Sequence, residues 1–333
     1  MNPFILAVLQ NQNKCQNHGP NKNQVAKMKI KDLDSGFDLN DLKVQFANFG
    51  FQATNVSTAI SIIERMKEEN ATIFLTFTSN MVASGLRGLF KELCKRKFVD
   101  VVITAGGSLD HDLIKSAKDY ELGDFSMDDK KLHGQGINRI GNVLVPNECY
   151  EYLETFMAEV YTDLMKSDNY TSPSEIAREI GKKTKEDSFL YWCNKNKIPV
   201  FCPGITDSAI GLQAYFFKQK HKEFGIDVTK DMNELAQLVL NAEKTGGIVL
   251  GGGISKHHAI GVNLLRGGFD YAIYVTTSSP WDGSLSGART NEAVSWGKIK
   301  ENSTGKCEYI PNHVTVDCDA TIAFPLIISK FLK

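Results

Sequence analysis

The chain has 333 residues, with 38 Lys and Arg against 39 Asp and Glu, for a formal net charge of −1. Charges of both signs are interspersed, which argues against a nucleic-acid binder working by bulk charge and against a polybasic membrane anchor. A chain of this length builds roughly one to three domains, and its composition is that of an ordinary soluble globular protein.

Residues 3–9 are apolar but lack the basic leader and small-residue cleavage site of a secretory signal. Residues 10–35 are rich in Asn, Gln and Lys without periodicity, so residues 1–37 are expected to form a partly flexible N-terminal arm. From 38 to 333 the pattern is that of a single domain. Apolar, β-branched runs at 72–77, 99–103, 198–201, 248–250, 271–275 and 314–316 read as strands. Stretches at 56–66, 81–93, 151–165, 232–242 and 257–265 have helical spacing. Continuous apolar strands alternating with amphipathic helices predict an α/β fold. Its sheet is doubly wound, mainly parallel and Rossmann-like, with helices on both faces.

In such sheets ligands bind at the carboxyl ends of the strands. Those ends read Thr78-Ser79-Asn80, Thr104-Ala105-Gly106-Gly107, Thr206-Asp207, Gly251-Gly252-Gly253 and Thr276-Thr277, with Asp282 and Asp319-Ala320 completing the set. Small residues let a backbone approach a phosphate, exposed N–H groups at helix starts attract it, and carboxylates suit ribose hydroxyls. One glycine at a strand end is a turn residue; several on one edge suggest a dinucleotide. No G-x-G-x-x-G follows the first strand, so the site is of another design than the standard fingerprint.

The seven cysteines form no C-x-x-C pair and read as buried, reduced thiols of a cytoplasmic protein. No histidine cluster has zinc-ligand spacing, so no metal is expected. No apolar run approaches the ~20 residues needed to span a bilayer. The remaining signal is the run EAVSWGK, Glu292 to Lys298. A lysine two residues after a tryptophan, in an apolar stretch with a carboxylate upstream, loses solvation. That favours the neutral, nucleophilic amine that imine chemistry requires. A lone W-x-K is a weak motif.

Together these pieces resemble the deoxyhypusine synthase family. The matching segments are GFQATN at 50–55, TSN at 78–80, TAGG at 104–107, GINRIGN at 136–142 and LVPNE at 144–148. They continue with Thr206-Asp207, GGGISKHH at 251–258, Asp282-Gly283-Ser284 and SGARTNEAVSWGK at 286–298. The resemblance runs from roughly residue 38 to 330. It implies oxidation of spermidine with NAD and capture of the aminobutyl group as an imine on Lys298. The group then passes to a lysine of the eukaryotic translation initiation factor 5A precursor. The resemblance also implies that Ser79, Asn80, Thr104, Ala105, Gly106, Asp207, Gly252, Thr277, Asp282, Asp319 and Ala320 hold NAD. On the amine side it implies His257 as an acid–base group, with Tyr274, Gly283, Ser284, Glu292, Trp296 and Asp110 as binding residues. Glu292 can pair with an ammonium and Trp296 can offer it a π face.

The departures are informative. Two positions that carry polyamine-binding acids in the family are Leu212 and Leu285, and a pocket asparagine position is Gly261. Near TAGG the loop carries an extra residue, and His111 stands where the family has a glutamate. A buried ammonium without its partner costs on the order of 3–5 kcal/mol. Nearby acids, Asp110 or Asp112, could compensate. Otherwise a less charged amine is the substrate, or the chain supplies part of a site shared with a paralogous chain. The family assembles as tetramers, so a homo- or hetero-tetramer is expected, with neither nucleic acid nor membrane as partner. The alternative function is an NAD-binding regulatory subunit of a hetero-oligomeric synthase. A sirtuin-type deacylase has a related cofactor fold, but paired C-x-x-C zinc ligands are missing. Residues 5–10 resemble the short helix that caps a neighbouring subunit's site in the family.

Overall fold

The structure is a computed structural model and describes residues 29–32, 38, 41–301 and 311–332. The predicted arm, with its capping segment at 5–10, therefore lies almost wholly outside the described residues.

Six strands build the central sheet: β1 (Thr72–Phe77), β2 (Val101–Thr104), β3 (Val200–Phe201), β4 (Thr245–Leu250), β5 (Tyr271–Thr276) and β6 (His313–Asp317). All neighbours pair in parallel, in the order β6-β5-β4-β1-β2-β3. That is the Rossmann strand order, and its direction reverses between β1 and β4, where Phe77 lies opposite Leu250. Because every strand runs the same way, all six carboxyl ends share one edge.

The strands sort their side chains by alternation. Ile73, Leu75 and Phe77 of β1 and Tyr271, Ile273 and Val275 of β5 enter one core, with Val56, Ile60 and Ile63 of the helix Gln52–Glu68. Phe74, Ala272 and Tyr274 enter a second core with Leu235 and Val239 of the helix Lys230–Asn241 and Ala259 and Ile260 of the helix Gly253–Val262. Both faces are covered, as the unbroken apolar strands require.

The predicted strands are present, some longer than expected: the run at 248–250 extends back to Thr245. The helix expected over 81–93 is two helices, Ser79–Ala83 and Arg87–Lys95, separated where Ser84 turns extended. The hydroxyl of Ser84 bonds back to the Met81 carbonyl at 2.7 Å, which competes with helix continuation. Between β2 and β3 the chain inserts four long helices and a three-stranded antiparallel sheet with Ile137–Ile140, Val143–Pro146 and Glu121–Leu122. Fully buried Asp112 anchors this insertion. It accepts from Arg87 Nε at 2.7 Å, from Ser188 Oγ at 2.6 Å and from the Leu190 amide at 3.1 Å.

Candidate active site

The shared carboxyl edge carries the residues expected to hold a dinucleotide. Ser79 and Asn80 begin the helix after β1, Ala105 and Gly106 the helix after β2, and Gly252 immediately precedes the helix after β4. Thr277 follows β5, and Asp319 and Ala320 begin the helix Ala320–Ile328 after β6. Asp207 is exposed on the loop after β3 and Asp282 on the loop after β5. Four of these side chains also have internal duties, Asn80 and Asp282 among them. Thr104 Oγ1 bonds to the Phe77 carbonyl at 2.8 Å, and Asp319 Oδ1 accepts from the Thr321 amide at 2.7 Å. At Gly252 a Cβ would come within 2.5 Å of Ser286, so only glycine lets the 277–289 loop close onto this edge. The Gly253 amide donates to Ser286 Oγ at 3.0 Å and fastens that contact.

On the second face of the sheet lies a cavity of about 290 Å³ lined by Lys256, His257, Tyr274, Gly283, Leu285, Arg289, Glu292, Trp296 and Lys298, with Ile260, Ala288 and Ala293. Helix-ending chemistry sets the lysine's place. The helix Thr290–Ser295 stops at Trp296, and Gly297 takes the left-handed φ of 67°. The Gly297 amide bonds to the Val294 carbonyl and the Lys298 amide to the Ala293 carbonyl, both at 2.9 Å. This is the Schellman pattern, with glycine at the position that needs positive φ and Lys298 directly after it. The Lys298 carbonyl accepts from the Phe269 amide at 3.0 Å, which pins the segment beside β5. Its Nζ lies 5.1 Å from the Trp296 ring centroid. Glu292, in the first turn of the same helix, is the only carboxylate lining the cavity among the described residues.

The cavity gathers Lys298, His257, Tyr274, Gly283, Glu292 and Trp296 of the expected amine-side residues. Ser284 lies on the adjoining loop, its amide bonded to Asp282 Oδ1 at 2.8 Å. Asp110 lies elsewhere, among the helix starts of the carboxyl edge. Its oxygens accept from the Ala209 and Ile210 amides at 2.8 and 2.9 Å, capping the helix Ala209–Lys220, and burial pushes its pKa up to about 6. Neighbouring His111 bonds Tyr120 through Nδ1 at 2.8 Å, and burial lowers its pKa to about 4. Leu285 lines the cavity, whereas Leu212 is 51% exposed on the helix Ala209–Lys220. A Cβ at Gly261 would meet nothing within 4 Å, so no steric demand keeps a side chain out of that position.

Lys256 was not singled out from the sequence. It belongs to the buried stripe of its helix, with Ser255, Ala259 and Ile260, and a lysine at such a position was the available signal. Tyr274, also buried, has a hydroxyl with no hydrogen-bond partner among the described residues. A larger cavity of about 420 Å³ opens near the amino end of β3 and contains none of the expected site residues. Among the described residues no three His, Cys, Asp or Glu gather as a metal site, and no helix is long and apolar enough to cross a membrane.

The architecture is thus that of a Rossmann-type α/β protein with a lysine-bearing cavity beside the carboxyl edge of its sheet. The deoxyhypusine synthase family profile matches residues 41–331. A relative from Halobacterium salinarum, named probable deoxyhypusine synthase, is 42% identical over 300 residues, covering 90% of this chain and 89% of its own. One of the same name from Methanocaldococcus jannaschii is 42% identical over 321 residues, covering 90% and 95%. A crystal structure from Entamoeba histolytica, provisionally named deoxyhypusine synthase, shares the fold with a TM-score of 0.63 at 24% identity, covering 91% of this chain and 95% of that one. The chain belongs to the deoxyhypusine synthase family, and this membership marks it as a transferase.

Proposed function

We propose that the protein transfers the aminobutyl group of spermidine to a lysine of a translation initiation factor 5A precursor through an imine on Lys298. The observation that carries this reading is the cavity itself: Lys298, His257, Tyr274, Glu292 and Trp296 line one space next to the glycine-bearing carboxyl edge.

NAD is the cofactor this reading requires; when bound it takes a hydride from the amine carbon and returns it at the end. The edge suits it. Helix starts at Gly106 and Ala320 offer N–H groups to phosphates, and exposed Asp207 and Asp282 offer carboxylates to ribose hydroxyls. The chain's own residues do the rest. Glu292 holds an ammonium of the amine, and Trp296 covers the alkyl chain or a second ammonium with its ring. His257 takes the proton from the nitrogen whose carbon loses hydride. The Lys298 amine attacks that carbon, forming a C–N bond as the bond to the departing 1,3-diaminopropane breaks. The acceptor lysine then displaces Lys298 in the same manner, and the transferred imine is reduced.

A polyamine carries several positive charges, and among the described residues Glu292 is the only carboxylate in the cavity. Arg289 there is ion-paired with Asp317, whereas Lys256 binds only backbone carbonyls. This charge balance favours a site completed by a neighbouring chain in a homo- or hetero-oligomer. It also keeps the second reading, an NAD-binding regulatory subunit that activates a catalytic paralogue. A transfer assay separates the two. Radiolabelled spermidine, NAD and the factor 5A precursor should yield labelled factor with the wild-type assembly and none with Lys298→Ala. A Lys298→Ala chain that stimulates a catalytic paralogue as well as wild type does would instead establish the regulatory role.

A further inference from the structure

Lys256 is the least explained charged group in the molecule. It is 1% exposed, on the helix that carries His257. Buried ammonium groups normally face a carboxylate. Lys256 Nζ instead donates to two backbone carbonyls, Leu285 O at 2.8 Å and Ala288 O at 2.7 Å, and lies 4.3 Å from the Tyr274 ring centroid. Its three donors are thus directed to two carbonyls and a π face. Both carbonyls belong to the 277–289 loop, which walls the cavity through Gly283, Leu285, Ala288 and Arg289.

We infer that Lys256 is a positioning residue whose ammonium clasps the 277–289 loop to the His257 helix and so sets the shape of the Lys298 cavity. The loop has two fastenings to this helix. One is the Gly253 amide on Ser286 Oγ, at the carboxyl edge. The other is Lys256, at the amine cavity. Between them they connect the edge proposed for the cofactor to the wall facing the amine. Charge-assisted bonds to carbonyls are about twice as strong as neutral ones, so the clasp tightens when Lys256 is protonated.

The surroundings make that protonation sensitive. Burial is the largest influence and lowers the Lys256 pKa to about 8; Glu292 on the following helix raises it and Arg289 on the loop lowers it. The other groups facing it are the Tyr274 phenol on β5, His257 on its own helix, and Lys298 across the cavity. The clasp is therefore charged at neutral pH and weakens as pH rises through about 8.

The consequence for transfer rests on the imine reading; the clasp itself does not. The test is hydrogen exchange of the 277–289 loop in the full chain, with Lys256→Met, Lys256→Arg and wild type compared at each pH. At pH 7, Lys256→Met should speed loop exchange about tenfold or more, the scale of one lost charge-assisted bond, and Lys256→Arg should restore most of the protection. The Met-to-wild-type ratio should shrink as pH rises past 8. Loop exchange unchanged in Lys256→Met would overturn the inference. If that variant does not fold, wild type decides alone: loop protection must fall above pH 8 relative to the rest of the chain, and a flat ratio overturns the clasp. Borohydride trapping of spermidine on Lys298 gives the functional half. Lys256→Met should lower the trapping rate at saturating amine and lose the wild-type inflection near pH 8. A wild type that traps nothing defeats the imine reading while loop exchange still judges Lys256.

Discussion

Gly297 and Lys298 illustrate how one residue's backbone places its neighbour's chemistry. The lysine follows a helix end that requires a left-handed residue, so Gly297→Ala strains the turn that aims Lys298. A non-glycine residue in this region costs on the order of 1–3 kcal/mol. We expect a lower unfolding midpoint and slower imine formation in that variant, read by thermal melts and borohydride trapping. Glu292→Gln should act differently, because it removes a carboxylate lining the cavity without touching the carboxyl edge. A charge-assisted contact is worth about 1.5–3 kcal/mol, so amine binding should weaken about ten- to hundredfold. NAD affinity measured by calorimetry should stay unchanged. The W-G-K run stood out in the sequence as a lysine near a tryptophan with a carboxylate upstream; the helix end at Gly297 that places the lysine emerged only in the fold. Lys256 was not singled out: its place on the apolar stripe of its helix hinted at burial, but the carbonyls it binds lie on a distant loop that the sequence does not bring to it.

At the scale of elements, buried carboxylates hold helix starts in register with the site. Asp112 accepts from Arg87, Ser188 and two amides of the helix Phe189–Asn196. Removing one partner of such a buried pair costs about 3–5 kcal/mol, so Asp112→Ala should lose stability of that order in urea titrations. Asp110 has a pH signature. Burial raises its folded pKa to about 6, above the roughly 3.9 of an unfolded aspartate. The folded state therefore holds a proton that the unfolded chain has released, and stability falls as pH rises from about 4 to about 6. Asp110→Asn should remove that part of the slope when unfolding midpoints are compared across this range. The sequence reading offered Asp110 to the amine as a nearby acid that could replace the missing carboxylates, without sight of which way its helix faces. In the fold its oxygens are committed to the next helix's amides.

Across the whole molecule, the parallel sheet and its loaded edge were readable from alternating apolar runs and the small residues after them. In the insertion between β2 and β3 the helix around 151–165 was readable but the small sheet was not, because its strands have two to four residues and only partly buried faces. Charge sets the open question at this scale. Among the described residues the cavity has one carboxylate for a polycationic donor, while Trp281, Tyr215 and Phe216 stand exposed on the same chain. If neighbouring chains complete the site, sedimentation should give a mass several times that of the monomer, and dilution below the assembly midpoint should abolish transfer. Saturating NAD should raise the melting temperature; a ligand at a hundred times its Kd contributes about 2.7 kcal/mol.

The most direct measurement is the intact mass of the purified chain after incubation with NAD and spermidine and reduction with borohydride. The account predicts an aminobutyl adduct that maps to Lys298 and disappears in Lys298→Ala. A folded, NAD-binding chain that acquires no adduct would contradict it and would assign catalysis to another subunit.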